Sequence, residues 1–173
     1  MPVTPDSYEA AAVAYGITML ATCATFQALL GVASAALAKA KIIESWGGNP
    51  GRTGGKGRAT ATDNTQFALA PPYAIVHQAT LDPELIGIAV YEYSGTIAIE
   101  LHLPRLTGSD TPPETFRRGR NTMGLIAAEI RAQFGAAGCL ATGTCRSEGP
   151  TMPEQSGAEG DEQIADLFID WTA

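Results

Sequence analysis

Residues 10–38, AAAVAYGITMLATCATFQALLGVASAALA, run 29 positions without one charged side chain. A chain that carries such a stretch must cross a bilayer with it, or bury it against its own fold or a neighbour. A membrane span takes about 20 residues, most of them strongly apolar. Here alanine dominates, and Thr18, Thr22, Thr25, Gln27 and Ser34 are scattered among thinly spread Leu, Ile, Phe and Val. No Lys or Arg precedes the stretch, so it lacks the basic start of a secretory signal. The expectation is therefore soluble helix and no membrane. The larger side chains, Tyr15, Met19, Phe26, Leu30 and Leu37, are separated by steps of 4, 7, 4 and 7, which keeps them on one helical face. Small residues fill the opposite side. Gly16 and Gly31 interrupt a single rod. The pattern predicts a helix from Asp6 or Ser7, either of which can cap it, to the low twenties, then a second piece from near Thr25 to about Gly31. Alanine on an outward face is poorly solvated, so a cover is expected, and a neighbouring subunit is the economical one.

With 173 residues, 45% of them hydrophobic and 17% charged, the chain has the composition of one globular domain with a real core. A net charge of −7 removes the bulk basic character that nucleic-acid binding requires. Cys23, Cys139 and Cys145 are too few and odd in number for a secreted disulfide framework, so reduced thiols are expected, with a 139–145 bridge left open.

Residues 47–66, GGNPGRTGGKGRATATDNTQ, are Gly-rich and almost without large apolar side chains, so a long mobile loop is expected. Arg52, Lys56 and Arg58 lie there with no acid between Trp46 and Thr62. The segment fails as a phosphate-binding loop, because Pro50 stands at the first glycine position and Gly57 where Ser or Thr is needed. PPYAIVHQA (71–79) reads as a strand with Tyr73, Ile75 and His77 on one face, and LIGIAVYEY (85–93) as another. GTIAIELHLP (95–104) is the clearest strand: Ile97, Ile99, Leu101 and Leu103 alternate with Thr96, Ala98, Glu100 and His102. Ser94-Gly95 is placed as the hairpin turn between them.

Pro112 and Pro113 suit a helix first turn, capped by Asp110 or Thr111. Phe116, Met123, Ile126, Ile130 and Phe134 then make one face, while Arg117, Arg118, Arg120 and Arg131 lie elsewhere on the helix. Residues 138–161 show no period and read as a second long loop. ADLFIDWTA closes the chain as a strand. From Ser147 onward there are seven acids and no base. The class is α+β, with an antiparallel or mixed sheet of about four strands, helices packed on one face and two long loops. Loops of about 20 residues in so small a domain are usually functional.

Nothing in the spacing brings His77 or His102 to a thiol, and no His, Cys or carboxylate set lies at metal-ligand spacing. Glu92 and Glu100 are placed as facing acids across the hairpin, which alone defines no chemistry. No enzyme, cofactor or metal is expected.

The order ATFQALLG, short helix, variable loop, PPYAIV, GTIAIELHLP, amphipathic helix and closing ADLFIDW resembles the tail terminator and tail-completion proteins of tailed bacteriophages and prophages. The resemblance covers nearly the whole chain. It implies a virion structural protein that assembles with itself as a ring, commonly a hexamer, on the last ring of the tail tube protein. Such a ring ends tube growth and offers a joining surface to head–tail connector and neck proteins, with DNA only in transit through the channel. A head-completion protein of the neck is the alternative within the resemblance, and a small ligand-binding regulatory domain with a pocket between sheet and helix is the alternative outside it. The expected subunit and partner contacts are Arg52, Lys56, Arg58, Arg117, Arg118 and Arg120, meeting acids such as the C-terminal acidic segment of an adjacent subunit.

Overall fold

A computed structural model describes residues 5–44, 72–77, 82–87, 90–104, 112–151 and 162–172. Four helices, α1 (Pro5–Thr22), α2 (Ala24–Leu30), α3 (Ala35–Lys39) and α4 (Pro112–Gln133), accompany six strands. The strands are β1 (Ile42–Glu44), β2 (Tyr73–Val76), β3 (Asp82–Gly87), β4 (Val90–Pro104), β5 (Thr142–Thr151) and β6 (Glu162–Thr172). The sheet runs β1-β2-β4-β6-β5, and β3 pairs with the start of β4. Among the described strands only the β1–β2 pair is parallel. The class is α+β with a mixed sheet, as expected, with six strands among the described residues in place of about four.

Alternation on β4 sets the two faces. Ile97, Ile99, Leu101 and Leu103 are buried, and across the register they meet Ile169, Leu167, Ala165 and Gln163 of β6. These odd-numbered apolar side chains form one core with Met19 and Phe26 of the N-terminal helices and Met123, Ile126 and Ile130 of α4. All helices that reach the core therefore lie on this face. Fully burying side chains of this size contributes about 1.5–3 kcal/mol each before entropy is counted.

The N-terminal helices follow the expected break but not the expected face. Ala12, Val13, Gly16, Met19, Leu20 and Cys23 point inward, so much of the small-residue side is the side that packs. Gly16 permits it: a Cβ there would lie 3.0 Å from Ile97 Cδ1. Tyr15 and Leu37, expected inside, are 41% and 56% exposed. A bend of 70° at Cys23 and the separate α3 beyond Gly31 end the common face before Leu37, while Tyr15 lies on the flank of a packing face centred near Gly16. Neither helix alone is long and apolar enough to cross a membrane among the described residues, although the bent pair passes together by length and composition.

Two side chains one turn apart on α4 hold this bend. Thr25 donates its backbone N–H to the Glu129 carboxylate, at 3.2 and 3.1 Å from the two oxygens, and its hydroxyl bonds the same group. Cys23, at the capping position, supplies no such bond, so Glu129 satisfies a helix-start donor that would otherwise be orphaned. Gln133 Nε2 donates to the Met19 carbonyl at 3.0 Å, and Thr22 Oγ1 lies 2.7 Å from Gln133 Oε1. Gly31 closes α2 at φ 66°.

Three further expectations are corrected. Val90–Pro104 is one strand that passes straight through Ser94-Gly95, and the reversal falls between Gly87 and Val90. Glu92 therefore lies on the same strand as Glu100 and faces Glu84 instead. The span 138–161, read as loop, contains β5, an edge strand whose residues 142–149 are exposed except Cys145, so that part carries almost no burial pattern. The expected loop 47–66 lies outside the described residues.

Gly143 of β5 faces Phe134: a Cβ there would fall 2.6 Å from the ring and closer still to the Asp170 carbonyl. Gly143→Ala should cost about 1–3 kcal/mol through overpacking. Gly124→Ala, in open space on α4, should instead gain up to about 1 kcal/mol. Urea denaturation of the two variants checks both signs.

Candidate functional site on the open sheet face

The face turned away from the helices is built from the even-numbered residues of β4 and β6. Register lines them up in rows: Ser94, Thr172 and Thr142; Thr96, Asp170 and Thr144; Ala98, Phe168 and Arg146; Glu100, Asp166 and Glu148. At one end is a shallow groove of about 510 Å³ whose lining includes Ser94, Thr96, Thr144 and Asp170. Thr96 donates its hydroxyl to Asp170 Oδ1 at 2.6 Å. Arg146 lies 4.3 Å over the Phe168 ring and pairs with both Asp170 and Glu148.

At the other end the face is closed. Glu100 is 8% exposed and His102 1%. Alternation had placed both on a polar outer face, yet here that face is covered. His102 Nε2 stands 2.7 Å from Glu100 Oε1, and His77 Nε2 3.9 Å from Oε2. The Tyr73 ring stacks on His102 with centroids 4.2 Å apart and planes 10° apart. Burial pushes the Glu100 carboxyl up, but the hydrogen bond from His102 and the nearby His77 ring outweigh it and hold the group down at about 2. The carboxylate therefore stays ionised although Asp166 sits directly opposite it on β6. The arrangement clamps β2 to β4 through side chains as well as through the ladder.

The residues expected as contacts divide. Arg117, Arg118 and Arg120 are exposed on the outer side of α4, and Arg118 has a partner within the chain. Arg52, Lys56 and Arg58 lie outside the described residues. All three cysteines are free thiols, as expected. Burial pushes Cys23 up to about 12 and Cys145 up to about 11, so both are protonated at neutral pH rather than nucleophilic thiolates. Among the described residues no group of His, Cys, Asp and Glu is placed to hold a metal ion.

Two features of this face were not legible from spacing. His77, Glu100 and His102 converge only because β2 pairs with the far half of β4. The cross-strand pair Glu84–Glu92 depends on the position of the reversal, for which Gly87 was the available signal. No protein-family model matches the chain, and no curated protein matches it.

Glu100→Ala removes the acceptor of a buried histidine and should cost about 3 kcal/mol at neutral pH. The folded pKa of Glu100 lies below its ordinary 4.5, so its contribution is fully present above pH 4.5 and is lost as pH falls toward about 2. The stability gap between wild type and variant, followed by urea denaturation, should narrow over that window.

Proposed function

We propose that this chain is a virion structural protein of the tail-terminator kind, which assembles with itself as a ring on the end of the tail tube. The ring ends tube growth and presents a surface for the connector or neck. The observation that carries the reading is the outer surface of α1 to α3. Ala10, Ala14, Tyr15, Thr22, Ala24, Ala28, Ala36 and Leu37 are exposed there, in a stretch with no charge to solvate them. A monomeric soluble protein rarely leaves a broad uncharged surface of this sort open, so a protein neighbour is the natural cover. The net charge of −7 also suits a channel that DNA crosses, since each phosphate neutralised by Lys or Arg would add affinity and retard passage. Among the described residues the space between sheet and helices is filled by the core, and the groove lies at one end of the sheet, which speaks against a ligand pocket between the layers.

The test is negative-stain microscopy of lysates from a phage or prophage lacking this gene. Tubes of uncontrolled length beside filled heads are the expected result. Tubes of normal length beside leaking or unjoined heads would move the protein to head completion in the neck, and normal virions would sink the virion reading.

A further inference from the structure

The two broad sides of the protomer carry opposite charge. On the open sheet face Glu84 and Glu92 stand directly opposite each other across β3 and β4, both exposed. The same face adds Asp170, Asp166 and Glu148, with Arg146 as a counter-charge already paired to two of them. On the other side of the molecule, α4 presents Arg117, Arg118, Arg120 and Arg131 outward, with Glu114 at its start. Arg118 and Glu114 have partners within the chain, and Arg131 donates to the Cys145 carbonyl. Arg117, Arg120, Glu84 and Glu92 make no ion pair among the described residues.

Like charges directly opposite on adjacent strands cost stability, so the Glu84–Glu92 pair burdens an isolated protomer and is relieved by a cation from outside. The pair is also placed to meet one. β6 begins to pair with β4 only at Ser94, so the hairpin of β3 with residues 90–93 stands roughly 13 Å clear of the β6 ladder. Leu125, 48% exposed in the middle of the arginine side of α4, offers apolar surface that a protein contact would cover.

We propose that the open sheet face of one copy docks on the α4 face of the next, with Glu84 and Glu92 of the projecting hairpin receiving Arg117 and Arg120 of the neighbouring copy. This rests on the ring reading and names the surfaces that meet. A two-fold pairing of either face would set acids against acids or arginines against arginines. Head-to-tail stacking sets acids against arginines at each contact, and such a contact closes into a ring when its rotation permits.

Light scattering coupled to size exclusion, across a concentration series, tests the proposal on four proteins: wild type, R117E/R120E, E84R/E92R and the fourfold variant. Wild type should give a multiple of the 18.0 kDa chain. Each double variant should need about tenfold more protein to assemble, and the fourfold variant should return to within a few-fold of wild type. Circular dichroism melts verify folding, and Arg117→Gln with Glu92→Gln replace any double variant that fails to fold, with a smaller shift in the same direction expected. An oligomeric wild type whose double variants assemble unchanged overturns the assignment of faces and leaves the ring standing. Loss in the double variants without rescue in the fourfold variant overturns the pairing. A wild type that stays monomeric throughout overturns the pairing, while the ring on the tube end is decided separately by the microscopy of tail length.

Discussion

The β4–β6 ladder is the constraint from which the other features follow. It runs without a register shift from Ser94 opposite Thr172 to Pro104 opposite Glu162. An unbroken antiparallel ladder fixes parity: once Ile97 faces the helices, Glu100 and His102 must face away. The helices then have one surface to cover, and the polar side chains of both strands are delivered to the other surface in rows. β2 and β3 divide the remaining edge of β4 between them, which brings His77 and Tyr73 to one end and frees the hairpin at the other.

Alternation made the central strand readable, because GTIAIELHLP is half core and half polar at a strict period of two. The start and end of the long helix were readable for a similar reason: paired prolines at one end and an Ala-Gly run at the other leave little choice. What escaped were elements with no burial contrast. β5 buries Cys145 and little else, so an edge strand there has the composition of a loop. β1 has three residues, too few to show a period. Ser94-Gly95 has the composition of a turn, yet a glycine beside Trp171 in the register leaves room for a bulky indole on the adjacent strand.

The site was less legible than the fold. Each histidine was visible, but their shared carboxylate depends on which strand pairs with which half of β4, and that is long-range information. The helix arginines were correctly placed on the outside by helical period. The cross-strand pair of Glu84 and Glu92 was hidden by the misplaced turn, which had sent Glu92 toward Glu100.

The clasp of Glu129 and Gln133 on the α1–α2 bend joins residues 104 to 114 positions apart. On the ribosome this separation becomes time. Residues 10–38 emerge well before the groups that cap their bend, which follow only after four of the six described strands. Until then an alanine-rich helix pair must wait without its lid, at synthesis rates of about 5–20 residues per second. Large hydrophobes are sparse in that stretch, and the hydroxyls of Thr18 and Thr22 bond back to carbonyls three and four residues earlier, contacts that need no other part of the fold. The order of elements thus sets a delay between the bend and the clasp that holds it.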